Sequence, residues 1–268
     1  MNLILLLLAF SFSCTDTSNK SPLPVTGEYL YRLHDEYLFV AEAPQKITPL
    51  PYPWEAGNIG NLAKITKEYF RCKGSSLNPP RQAYEKGEII RTMDCGGAAR
   101  HSLPVRNGKE FIYPILIDLM NFIQSKTGKR VVITSGHRCP EHNAYSDPKG
   151  KHSKHQIGAE VSFYVQGLED RPESIVKLIQ TYYTDSPKYQ GKKEYLEFKR
   201  YEKEDSDVTT QPWYNKEIFI KLYKRKEGRD FDNRHPYPYL SIQVRYDSEL
   251  QEKVIYDWHK ATQNYMRR

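Results

Sequence analysis

The sequence predicts an α+β domain, on three observations. Apolar, β-branched runs at Val131–Thr134, Ala159–Val165, Ile218–Tyr223 and Tyr239–Tyr246 read as strands. Glu110–Lys126 and Pro172–Tyr183 carry the 3.6-residue spacing of amphipathic helices. Helices and strands do not alternate as βαβ units, which separates this chain from parallel α/β folds.

Taken in order, six prolines between Pro22 and Pro53 mark residues 15–55 as a tether, within which Tyr29–Val40 could form a short strand or helical piece. Ile59–Phe70 reads as a helix, with Ile59, Leu62, Ala63, Thr66 and Phe70 near one face. Asn78–Arg106 is a Pro/Gly-rich connection containing Cys95-Gly96-Gly97. In Glu110–Lys126, Ile115, Leu119, Phe122 and Ile123 share a face and Gly128 supplies the stop. Pro172 opens the next helix, with Ile175, Leu178, Ile179 and Tyr182 inward. Ser248–Tyr265 reads as a final helix.

Of 268 residues, 38% are hydrophobic and 27% charged, a globular rather than a disordered balance. The 21 tyrosines fit half-buried strands and core. A net charge of +7 suits an anionic wall or membrane surface. The basic stretch Lys192–Lys203 is broken by Glu194, Glu197 and Glu202, so it reads as a solvated face and excludes nucleic acid as a partner.

Leu3–Phe12 is an apolar run of ten residues, too short to span a bilayer and suited to an export signal. It ends in Ser11-Phe12-Ser13-Cys14, which resembles a lipobox. The resemblance implies cleavage before Cys14, a diacylglycerol on its thiol and an envelope protein held at a membrane by lipid; ordinary signal cleavage is the alternative. Cys72, Cys95 and Cys139 then remain, an odd number that permits one disulfide without choosing the pair. The absence of a CxxC pair argues against a cysteine-based zinc site.

Two stretches carry chemistry. Ser135-Gly136-His137-Arg138-Cys139-Pro140-Glu141-His142-Asn143 resembles the Ser-Gly-Tyr-Arg-x-x-x-x-Asn signature of the M15 family of zinc D-alanyl-D-alanine peptidases. Ser153-Lys154-His155-Gln156-Ile157-Gly158 is similar to that family's Ser-x-His-x-x-Gly. The resemblance covers residues 105–247. It implies a small antiparallel sheet with flanking helices in a peptidase-like domain at 56–268 with added terminal helices, which follows the signal read at 1–13 and the lipidated tether read at 14–55.

By the same resemblance, His155 sits at the first zinc-ligand position, Arg138 at the position that orients a substrate carboxylate or carbonyl, and Ser153 beside it. Seven residues after His155 stands Ser162, where the family has an Asp ligand. Leu240-Ser241-Ile242-Gln243-Val244-Arg245 resembles a Val-His-Val-Asp-Val-Arg stretch, which puts Ser241 in place of the last His ligand and Gln243 in place of the adjoining Asp. A serine hydroxyl is a poor zinc ligand near neutral pH, and an amide cannot take a proton as a carboxylate does. The inherited cradle is therefore expected to be empty and no cofactor is expected, with zinc the candidate if the site is rearranged.

Three residues could rescue a metal: Glu160, two positions before Ser162 on the same strand face, His152 and His235. His101, His137 and His142 read as loop or capping residues, Cys139-Pro140 as a turn, and Asp230-Phe231-Asp232-Asn233 as a solvated acidic loop. Three functions remain open. One is a non-catalytic module that binds a cell-wall stem peptide or an envelope protein. The second is a zinc peptidase with rearranged ligands. The third is a purely structural tether whose old cleft is filled by side chains, a reading that Arg138 locked in an internal ion pair with no cavity around it would support.

Overall fold

Strict alternation along three long strands sorts polar from apolar side chains and so builds the sheet that carries the site. The computed structural model describes Tyr29–Leu30, Phe39–Val40 and residues 58–85, 88–202 and 207–266. Six strands pair antiparallel throughout: β1 (Val131–Ser135), β2 (Glu160–Val165), β3 (Lys199–Arg200), β4 (Trp213–Tyr214), β5 (Ile218–Tyr223) and β6 (Tyr239–Val244). Their spatial order is β3-β4-β5-β6-β2-β1. Val161 and Phe163 on β2, Leu240 and Ile242 on β6, and Ile220 and Leu222 on β5 are fully buried in the core. Each such side chain contributes about 1.5–3 kcal/mol. The intervening positions, Glu160, Ser162, Ser241, Gln243 and Lys221, share the opposite face, with Glu160 opposite Gln243, Ser162 opposite Ser241 and Ser241 opposite Lys221.

Two helices supply the other layer. α1 (Pro114–Thr127) starts on Pro114 and ends on Gly128, whose left-handed φ of 60° and N–H bond to Gln124 O at 2.9 Å close the last turn. It buries Ile115, Leu116, Leu119, Met120 and Ile123. α3 (Pro172–Asp185) buries Ile175, Val176, Ile179 and Tyr183. α2 (Pro140–Ser146), α4 (Lys193–Leu196) and α5 (Trp258–Thr262) are short. This is the mixed helix-and-sheet architecture expected, with an antiparallel sheet and flanking helices. Among the described residues no helix is long and apolar enough to cross a membrane. The signal at 1–13 and Cys14 lie outside the described residues. In the separate unit formed by residues 1–51, Tyr29–Leu30 pairs antiparallel with Phe39–Val40.

Several expected elements differ. Residues 59–70 are not a helix: Asn58–Ile59 and Leu62–Ala63 form a hairpin closed by Gly60-Asn61, and only Lys67–Phe70 makes a 3₁₀ turn. Gly60 has φ +60°, which suits the first central position of a two-residue hairpin loop and stops helix propagation. The connection from Asn78 contains a hairpin, Arg81–Glu85 with Glu88–Thr92. The final helix contracts to α5, because Asp247 accepts the N–H groups of Glu249 and Leu250 at 2.9 and 3.1 Å and turns the chain so that Glu252–Lys253 pairs back on Tyr246–Asp247. Cys139-Pro140 opens a helix rather than a turn, with Pro140 in the first helical position.

Candidate functional site

The polar face of β2, β5 and β6 floors an open cleft of about 730 Å³. The loop from Ser146 to Lys154 and the segment from Gly228 to Asp230 form its walls. At the β1–β2 end a bulge between Ser162 and Phe163 keeps Ser135 opposite Ser162 while Ile133 stays opposite Phe163 in the core.

His155 reaches the floor because Ser153 caps its 3₁₀ turn, accepting from His155 N–H at 3.2 Å, and Gly158 ends that turn at φ +69°. Its Nδ1 donates to Gly136 O at 2.6 Å, which leaves the Nε2 lone pair facing the strands. Ser162 Oγ lies 3.5 Å from that nitrogen and Glu160 Oε1 lies 3.7 Å from it. The same Glu160 oxygen accepts from Ser241 Oγ at 2.7 Å and from Gln243 Nε2 at 3.0 Å. Burial acts to raise the Glu160 carboxyl, but His155 and the bonds from Gln243 and Ser241 outweigh it and hold it below the usual carboxylate range. Burial, reinforced by the Arg138 charge, lowers His155. The floor at neutral pH is a carboxylate beside a neutral imidazole.

The structure thus brings His155, Glu160, Ser162, Ser241 and Gln243 together. His152 and His235 stay apart. His152 packs its ring on Tyr256 at 4.9 Å, and His235 sits among Tyr164, Tyr237 and Tyr239 at 5.0–6.0 Å. Among the described residues no third His, Cys, Asp or Glu donor gathers with His155 and Glu160. Two donors hold a divalent ion weakly. Lys154, next to His155, donates to Val244 O at 2.6 Å, and burial lowers its amine to about 8.

Arg138 lines the cleft with its guanidinium engaged from within. Its side chain is 2% exposed; Nε donates to Ser135 Oγ at 2.7 Å and to Asp232 Oδ2 at 3.0 Å, and Nη2 to Asp230 Oδ2 at 2.6 Å. Asp232 also receives His142 Nε2 at 2.9 Å, while His142 Nδ1 bonds Asp94 Oδ1 at 2.7 Å. Burial alone would lower His142, but the two carboxylates outweigh it and raise the ring. The Asp230–Asn233 segment is therefore not a solvated loop. Asp232 is nearly inaccessible, and Asn233 is fully buried with Thr134 Oγ1 at 2.6 Å. A guanidinium this deeply buried requires carboxylate partners, so the paired acids ahead of β6 are the signal the sequence held.

Behind Arg138 lies a second cluster. Cys72, Cys95, Cys139 and His101 are buried, and their ligand atoms all lie within 4.8 Å of one another, a group that could hold a metal ion. All three thiols are free. The missing CxxC argues against a cysteine-based zinc site, yet the structure gathers such donors from three loops and a helix start, which no local spacing announces. His101 is a member of this group rather than an ordinary loop residue. His137, its ring 5.8 Å from His101, is buried with neither nitrogen partnered among the described residues, and burial pushes it down to about 3.

Comparison with models of known families, with curated protein sequences and with solved structures gave no match.

Proposed function

We propose that this chain is an exported, lipid-anchored envelope protein whose peptidase-like cleft holds a short cell-wall peptide without cutting it. The observation that supports this is the floor of the cleft. Ser162 and Ser241 face each other across β2 and β6 beside His155 Nε2, where an M15-like enzyme would place two zinc ligands. Glu160, the acid closest to that imidazole, is held by Ser241 and Gln243. An imidazole and one carboxylate cannot fix a zinc-bound water for attack on a peptide carbonyl.

The cleft itself supports binding rather than a filled, purely structural module. Arg138 is locked in an internal pair, which by itself would support the tether reading, yet about 730 Å³ of open space lies beside it. Six basic side chains against four acidic ones line that space, which favours a ligand carrying carboxylates. The alternative is a zinc peptidase with ligands rearranged around His155 and Glu160, 3.7 Å apart; it rests on that pair alone.

The test is calorimetric titration with a synthetic stem pentapeptide ending in D-alanyl-D-alanine, with free D-alanine assayed in parallel. The expected result is saturable binding, weakened several-fold by Lys149→Glu on the exposed rim, and no D-alanine release. Release abolished by His155→Ala, or no binding by the wild type, contradicts the proposal.

A further inference from the structure

The cleft does not use a buried group of four metal-ligating side chains found among the described residues. We propose that Cys72, Cys95, Cys139 and His101 bind one structural zinc ion that fastens the 72–104 segment to the domain.

The donor set comes first. Three thiols and one imidazole form a combination typical of closed structural zinc sites, and a four-coordinate ion needs no other ligand. Zn–S of about 2.3 Å and Zn–N of about 2.0–2.1 Å put tetrahedral S···S edges near ~3.8 Å and S···N edges near ~3.6 Å. Cys72 Sγ and Cys95 Sγ are 3.8 Å apart, and Cys95 Sγ and His101 Nε2 are 3.7 Å apart. A sulfur pair at 3.8 Å is also ordinary contact; the groups bonded to the donors distinguish a metal site from simple packing.

His101 Nδ1 bonds Ser102 O at 3.1 Å, which fixes the tautomer and turns the Nε2 lone pair toward the sulfurs, as metal-bound histidines are held. Two backbone N–H groups point at sulfur: Gly97 N to Cys95 Sγ at 3.4 Å and His142 N to Cys139 Sγ at 3.3 Å. These are the donors a thiolate requires once its proton has gone. The loops are also shaped to the cluster. A Cβ on Gly74, two residues after Cys72, would fall 2.1 Å from Cys95 Sγ, and one on Gly97, two residues after Cys95 and at φ +85°, would fall 2.5 Å from Gly74 O. Both loops therefore run Cys-x-Gly and interlock because neither glycine has a side chain. All four ligands are at most 8% exposed, which leaves no open position for substrate and assigns the ion a structural role.

The position explains what the ion would secure. Cys72 follows the 3₁₀ turn whose Phe70 O receives His137 N–H at 2.6 Å; Cys95 follows the Arg81–Thr92 hairpin and adjoins Asp94, the partner of His142; Cys139 adjoins Arg138. Tyr265, from the C-terminal segment, packs on the same cluster. One ion would thus join pieces that short strands alone hold poorly. Loading would convert three thiols to thiolates and release up to three protons to solvent. It would also protect three mutually accessible thiols from forming a disulfide in the oxidising compartment that export implies. The Asp94, Cys95 and His142 grouping is not a rival site, because Asp94 and His142 already bond each other.

The experiment is elemental analysis of the purified full chain, with intact mass under denaturing conditions and cobalt(II) replacement. The inference expects one zinc per chain, unbridged cysteines and thiolate-to-cobalt charge-transfer absorption. Cys72→Ser and Cys139→Ser should lose the metal. Should those variants fail to fold, His101→Cys keeps the test open: it should retain one zinc and shift the cobalt spectrum toward four-thiolate coordination. Metal-free protein with an internal disulfide, recorded as the loss of two hydrogens, overturns the inference. So does zinc that survives Cys139→Ser. Zinc lost in His155→Ala but kept in Cys139→Ser would refute the empty cleft as well, whereas metal-free protein with a disulfide overturns the inference and leaves the empty cleft standing, so the two readings can fail separately.

Discussion

Replacing Arg138 with Met tests whether this residue is an internal anchor or a substrate contact. The guanidinium is 2% exposed, and its partners Asp230 and Asp232 have side chains 18% and 3% exposed. Truncating one partner of a buried ion pair costs about 3–5 kcal/mol, because the remaining charge stays buried and unpaired. Asp230 can recover some water and Asp232 keeps His142, which places the expected loss toward the lower end, about 3–4 kcal/mol. For a domain of this size each kcal/mol moves Tm by roughly 2–4 °C, so the variant should melt about 10 °C lower. The pH dependence has a definite sign. Burial acts to raise the Asp232 carboxyl, but His142 and Arg138 hold it well below the carboxylate range, so its stabilisation is complete above the unfolded value of about 3.9 and is lost as pH falls through the folded value. The gap between wild type and Arg138→Met should therefore be widest above about pH 4 and narrow below it. Thermal unfolding by circular dichroism from pH 3 to 8 measures both. A Tm within 2 °C of wild type, combined with lost peptide binding, would show that Arg138 serves the ligand and refute the anchor.

Lys154, lowered by burial to about 8, should titrate near pH 8 by NMR of its side chain. Because the unfolded amine titrates at about 10.4, the native state loses its proton first, and wild type should gain up to about 3 kcal/mol relative to Lys154→Met between pH 8 and 10.5. A Cβ added at Gly136 would lie 2.5 Å from both Cα and O of Phe70, backbone that cannot step aside, so Gly136→Ala should cost about 1–3 kcal/mol or more in urea unfolding. The double variant Ser162→Asp, Ser241→His should create a second zinc site with His155, gaining one zinc per chain; no gain would show that the cross-strand pair does not occupy ligand positions.

How much of this was legible depends on how local the determinants are. The four long strands and the two long helices were readable because their signals, alternation or a Pro-to-Gly frame such as Pro114 to Gly128, lie within one segment. The spacing from His155 to Ser162 and the pattern from Ser241 to Gln243 placed five residues around one point. Elements set by turn chemistry were misread: Gly60 breaks what looks like a helix, and Asp247 folds back what looks like another. The hairpin at 81–92 gave no clean alternation, since Ile89 and Ile90 are both exposed. Long-range pairings were the least visible. Nothing adjacent to Arg138 names Asp230 or Asp232, and the Cys/His group draws residues from positions 72 to 139. An odd cysteine count together with the paired Cys-x-Gly loops was the trace it left.

The central claim, that the cleft carries out no metal chemistry, is tested most directly by zinc content per chain in wild type and in His155→Ala, measured side by side. The account predicts the same value in both, whatever that value is. A loss of one zinc in His155→Ala, with D-alanine release present in wild type and absent in the variant, would contradict it and make the chain a working hydrolase.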